Sequence, residues 1–185
     1  MSAPRFDTLS LPLLQDFWEQ RAGDVLTHME RVCGWPVTEE AATVAARATR
    51  DRVAQVYAGA ALERGALPLA VSLAEVLLRL LEPSLVAFPV ESREFAHARD
   101  ALNQNARPTG PQLLLQRVWG LWALENGPGL SPAQIAAIAC VSVPSVLSRA
   151  KRAGLSPAYA GGASGRAQLF APPAAKRLID WVGGE

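Results

Sequence analysis

Apolar residues recur at steps of three and four along most of this chain, and two such runs meet between Ser131 and Gly154, SPAQIAAIACVSVPSVLSRAKRAG. Ile135, Ala136, Ile138 and Ala139 predict a first helix. Ser131 is a suitable N-cap for it, and Pro132 sits at the first helical position. The pattern breaks around Cys140 and Val141. Ser142 then caps a second helix, with Pro144 in the first turn, where a missing N–H costs nothing. Val146, Leu147 and Ala150 give that helix an apolar side, leaving Ser145, Ser148, Arg149, Lys151 and Arg152 for the other. Small residues at Ala136 and Ala139 allow a close crossing, which the short turn would fix.

The flanks extend this unit. Leu155 to Phe170 contains two strand-like pieces, LSPAY and RAQLF, around Gly161, Gly162 and Gly165, which permit a tight turn. Pro172 and Pro173 open a last helix with Leu178, Ile179 and Trp181 inward. Upstream, Gln112 to Asn126 is the most apolar helix. Leu114, Val118, Leu121 and Trp122 trace one side of it, and Leu115 and Trp119 widen that side. The extra width suits either a core or a dimer seam.

In the N-terminal half, Leu13, Leu14, Phe17, Trp18, Val25, Leu26 and Met29 predict one long helix, ended by Gly34 and Pro36. Thr38 caps the next helix, with Glu39 and Glu40 in its first turn and a small-residue face at Ala41, Ala42, Ala45 and Ala46. Thr49 is read as the cap of a further helix carrying Val53, Val56 and Tyr57. A shift of 93 residues then lays Gly34 on Gly127, Thr38 on Ser131, Thr49 on Ser142 and Val53 on Val146. Either an internal repeat or general helical grammar produces such a match of caps and breaks. Breaks at 83–89 and at 103–111, NQNARPTGP, bound a short connecting helix. The expected domains are therefore 1–102 and 112–185, in a mainly α fold.

Composition supports that class. Hydrophobic residues make up 50% and aromatics only 6%, so alanine and leucine supply most apolar surface. Arg79 and Glu82 interrupt the best candidate for a bilayer span, and the first residues do not read as a secretory signal. A cytoplasmic, nucleoid-associated protein is expected, with no membrane partner. Cys33 and Cys140 lack metal-ligand spacing, so no metal and no cofactor is expected. Charge changes the picture more. Met1 to Ser92 carries 8 basic against 12 acidic residues, whereas Leu130 to Glu185 carries 6 against 2. The last third is thus the part suited to phosphate.

The segment LSPAQIAAIACVSVPSVLSRAKRA resembles the helix-turn-helix of bacterial regulators and the promoter-reading region of sigma factors. With the hairpin, the resemblance becomes one to winged-helix proteins and covers about Gln112 to Val182. It implies a C-terminal winged helix-turn-helix domain with a small β-hairpin wing, preceded by a helical domain, itself a candidate second winged helix. An ordinary helical hairpin is the alternative. The reading makes the chain a duplex-DNA-binding protein, a transcriptional regulator or other DNA-transaction factor, acting as a homodimer. Ser142, Ser145 and Ser148 would approach base edges, while Arg149, Lys151, Arg152 and a hairpin-tip Arg166 would meet phosphates. A second DNA-binding helix would use Arg50, Arg52 and Gln55, although Asp51, Glu39 and Glu40 oppose phosphate there and favour packing or a protein contact. Tandem winged helices also resemble segregation and condensation protein B, an adaptor that grips a polypeptide, and plasmid replication initiators. No enzyme is expected. His28 and His97 have no nucleophile or paired carboxylates in register, and GGASG lacks the strand, helix and lysine of a phosphate loop.

Overall fold

Strong helix formers and well-placed caps produce a mainly helical protein, seen in a computed structural model. The structure describes residues 5–34, 36–63, 65–162 and 165–183, with side chains for all of these except 159–167 and 182–183. Two compact units emerge, Ser10–Ala87 and a larger one formed by Met1–Leu9 with Phe88–Glu185.

The smaller unit consists of α1 (Leu11–Cys33), α2 (Glu39–Ala60) and α3 (Leu67–Leu81), closed by a 3-10 turn at Pro83–Ala87. Trp18, Val53, Val56, Ala74, Leu77 and Leu78 are fully or almost fully buried and form its core. Gly59 has no room for a side chain, because a Cβ there would collide with the Cβ of Ala70. That contact lets α2 and α3 approach closely.

The expected helix start at Thr49 does not occur: α2 runs unbroken through it. The segment from Glu39 to Tyr57 has no glycine or proline to stop a helix. The Thr49 hydroxyl, which would have had to cap a new helix, donates to the Ala45 carbonyl one turn back, at 2.8 Å. Without a break at Thr49, the described residues do not form the expected helix-turn-helix there. The repeat is therefore one of caps and spacing, and the first winged helix is withdrawn.

The larger unit has a 3-10 turn (Phe6–Thr8), α4 (Arg93–Gln104), α5 (Gly110–Asn126), α6 (Pro132–Ala139), α7 (Val143–Arg152), strands β1 (Ala158–Gly162) and β2 (Gly165–Leu169), and α8 (Pro172–Gly183). The strands pair antiparallel, with Ala158 opposite Leu169 and Gly161 opposite Arg166. One further antiparallel bridge joins Leu130, in the link between α5 and α6, to Phe170 just beyond β2. Leu130, Ile135, Val146, Phe170, Ala175 and Leu178 meet in one core. α5 runs through the middle, and its Leu114, Leu115 and Val118 are sealed from solvent. Gly120 gives α6 its approach, since a Cβ there would sit 3.1 Å from Gln134 Cβ and from Ile138 Cδ1.

The helix expected to connect two domains belongs to this larger unit, because its end is tied in by polar side chains. Buried Gln116 donates to the carbonyls of Leu102 and Asn105, and the Ser131 hydroxyl donates to that of Asn103. Two neighbouring helices thus satisfy the carbonyls that the end of α4 leaves unpaired.

Candidate nucleic-acid interface

Local capping fixes the pair α6–α7. The Ser131 hydroxyl accepts from the Gln134 N–H at 3.1 Å, and the Gln134 side chain accepts from the Ser131 N–H at 3.0 Å. This reciprocal box starts α6 at a defined residue. At its other end Cys140 adopts a left-handed conformation, with φ 54° and ψ 39°. The N–H groups of Cys140 and Val141 both return to the Ala136 carbonyl. Arg117 of α5 completes the end by donating to the carbonyls of Ala137 at 2.9 Å and Ile138 at 2.6 Å. Its guanidinium also lies 4.3 Å from the centre of the Phe6 ring, within reach of a cation–π attraction.

Beyond that turn the Ser142 hydroxyl accepts from the Ser145 N–H at 3.3 Å and starts α7. The axes of α6 and α7 differ by 104°. That angle lies within the range of about 90–120° typical of helix-turn-helix pairs. Val146 and Ala150 hold α7 to the core. Pro144, Leu147, Ser148, Lys151 and Arg152 are exposed. Leu147, expected on the apolar side, is 41% exposed, so the buried stripe of α7 is narrower than its sequence suggests.

The expected site residues of α7 and its N-cap separate into three groups. Ser148, Lys151 and Arg152 share the open side of α7, with Arg152 Nη2 donating to Ser148 Oγ at 3.4 Å. Ser142 and Ser145 lie at its start, their hydroxyls hydrogen-bonded to each other at 2.9 Å. Arg149 leans the other way, half-buried, and donates to the Trp181 carbonyl near the end of α8 at 3.4 Å. Arg166 lies in β2, and its side chain is outside the described residues.

Arg50, Arg52 and Gln55 sit on unbroken α2 in the smaller unit. Arg50 Nη1 bonds Asp16 Oδ1 and Glu19 Oε2, each at 2.8 Å. The hydrogen bonds it donates to Glu19 and then Asp16 raise its pKa further above an already high value. It forms an ion pair between α1 and α2, the packing role that the acidic neighbours favoured over DNA reading.

Sequence reading overlooked Arg117, although a lone charge inside the apolar run LLLQRVWGLW was a visible signal. Lys176 and Arg177, also unassigned, are exposed on α8. Among the described residues no three His, Cys, Asp or Glu side chains converge on a metal-sized site, and no single helix is long and apolar enough to cross a membrane. Comparison with known proteins finds no matching family model, curated protein or solved structure.

Proposed function

We propose that this chain binds duplex DNA through its larger unit, with α7 in the major groove. The reading rests above all on the near-perpendicular α6–α7 pair, whose second helix turns Ser148, Lys151 and Arg152 to solvent. Ten residues make α7 about 15 Å long. Such a rod enters a groove about 12 Å wide. The hairpin after α7 and the bridge from Leu130 to Phe170 support a winged-helix reading, with β1–β2 as the wing.

Contacts divide by chemistry. Lys151 and Arg152 meet phosphates and set orientation, while Ser148 and the first turn of α7 approach base edges. Arg149 holds the helix against α8. This reader offers no Asn or Gln and no free leading arginine, so one copy discriminates weakly. A homodimer on two half-sites, aided by DNA shape, supplies the selectivity needed for regulating transcription at the nucleoid. The adaptor and initiator readings required two winged helices and lose support with the continuous α2.

The test is fluorescence anisotropy of a labelled duplex titrated with the full chain over a range of salt. Binding should fall steeply as salt rises. The double substitution Lys151→Ala, Arg152→Ala should weaken it and flatten the log–log slope by about 2, at roughly 0.9 per lost phosphate contact. Undetectable binding at low salt, or an unchanged slope in the variant, overturns the proposal.

A further inference from the structure

In the smaller unit α3 buries one side in the core and leaves a second apolar strip uncovered. Leu69, Leu73, Val76 and Leu80 follow one another at steps of four, three and four residues, which places them on one side of the helix. Leu69 is 52% exposed and Val76 37%, while Leu73 and Leu80 are half-buried. Apolar residues scattered singly over a surface are ordinary, whereas a contiguous strip marks a contact. Both charged residues of α3, Glu75 and Arg79, lie off the strip, and Arg79 is drawn to the carbonyls of Leu85 and Val86. At its Leu80 end the strip meets a cleft of about 280 Å³ between α1 and α3. Val25, Leu80 and Pro83 give this cleft apolar walls, beside the ion pair of Arg21 with Asp24. A space of about 150 Å³ already holds a benzene-sized group, so the cleft has room for a leucine side chain.

We propose that a second copy of this chain docks on the strip, with the two α3 helices antiparallel about a two-fold axis. Knob and hole belong to the same strip. Leu69 is its most exposed residue, and the cleft at Leu80 lies about 16 Å further along the helix. Half a turn about the midpoint carries each onto the other, so Leu69 of each copy enters the cleft of the other. Leu73 then faces the partner's Val76, and the spacing of four, three and four reads the same in both directions. A closed two-fold contact requires such a self-complementary patch, whereas a different protein would have to supply both features itself. Antiparallel pairing also sets the positive end of each helix beside the negative end of the other. A contact of about three turns falls in the small class, below about 1,200 Å² in total, so the dimer dissociates on dilution. Two copies on one duplex raise its effective concentration and complete it. The role of this homodimer rests on the DNA-binding reading; the contact itself needs no DNA.

The test is sedimentation equilibrium of the full chain without DNA, from low to high micromolar concentration. A reversible monomer–dimer equilibrium that changes little with salt is expected, unlike the steep salt dependence expected of DNA binding. Leu69→Glu should weaken it by about a hundredfold or more, since each dimer loses two buried leucines. Leu69 is half exposed in the single chain, so this variant should keep its fold, which circular dichroism checks. Val44→Glu, at a 63% exposed position on α2, should leave the dimer unchanged. Leu80→Lys should also weaken the dimer. Mixing it with the Leu69→Glu chain should restore dimers, because the two changes then meet as opposite charges at one of the two junctions. A monomer at every concentration, or a dimer indifferent to Leu69→Glu, overturns the docking surface. Weakening by both changes without recovery in the mixture overturns the antiparallel pairing. Each outcome is read without a duplex and so is distinct from a failure of the DNA-binding reading.

Discussion

Two side chains at the end of α6 set the geometry on which the proposed interface depends. Cys140 occupies a left-handed position that costs an L-residue about 1–2 kcal/mol. Glycine would remove that strain, at an entropic cost of roughly 0.5–1 kcal/mol in the unfolded chain. Cys140→Gly should therefore be neutral or stabilising by less than about 1 kcal/mol, whereas β-branched Cys140→Val should destabilise by about 1 kcal/mol or more. Chemical denaturation distinguishes them, and a Val variant as stable as Gly would show that the strain is absent. Arg117 works on the same turn from outside, holding two carbonyls that α6 leaves unpaired. Hydrogen bonds from a charged donor contribute about 1.5–3 kcal/mol each, less in a half-exposed setting. Arg117→Met keeps the stem and removes the donors. It should lower the melting temperature and weaken DNA binding together, and the two losses should shrink together if a second-site change restores stability.

Elements were legible where their signals were local. Ser131 with Gln134, Pro132, Ser142 and Pro144 each govern the residues next to them, so α6, its turn and α7 fall where the sequence indicates. The smaller unit misled because Thr49 is ambiguous by nature. Threonine caps a helix when the chain before it is extended, and it bonds back to the fourth residue when that chain is already helical. Nothing near Thr49 forces the first state, and the alanines and arginines around it favour the second. The same ambiguity touches arginine, since sequence shows its charge but not its partner. Arg50 spends its charge on Asp16 and Glu19, and Arg149 spends part of its own on the end of α8. Arg50→Ala should accordingly lower the thermal stability of the full chain slightly and leave both DNA affinity and its salt slope unchanged. The raised pKa of Arg50 means that this ion pair is not lost through the arginine until strongly alkaline pH. A marked drop in DNA affinity for Arg50→Ala would return α2 to the interface.

The whole molecule divides its charge as it divides its contacts. The unit Ser10–Ala87 holds 7 basic and 10 acidic residues, a balance of −3, and the remainder holds 11 and 7, a balance of +4. An acidic unit repels a phosphate backbone within a Debye length of roughly 10 Å at moderate salt. The physical expectation is therefore one reader per chain, with the smaller unit serving another purpose such as joining copies. Two core substitutions separate these roles, because Leu77 and Ile135 are each fully buried in different units. Truncating either to alanine should cost about 2–5 kcal/mol within its own unit. Ile135→Ala loosens the α6–α7 pair and should reduce DNA affinity at temperatures where the chain remains largely folded. Leu77→Ala should leave single-site affinity intact. If instead it alters the cooperativity or stoichiometry on a duplex with two half-sites, the smaller unit is the dimerising one. Equal loss of single-site binding in both variants would mean that the larger unit does not read DNA alone.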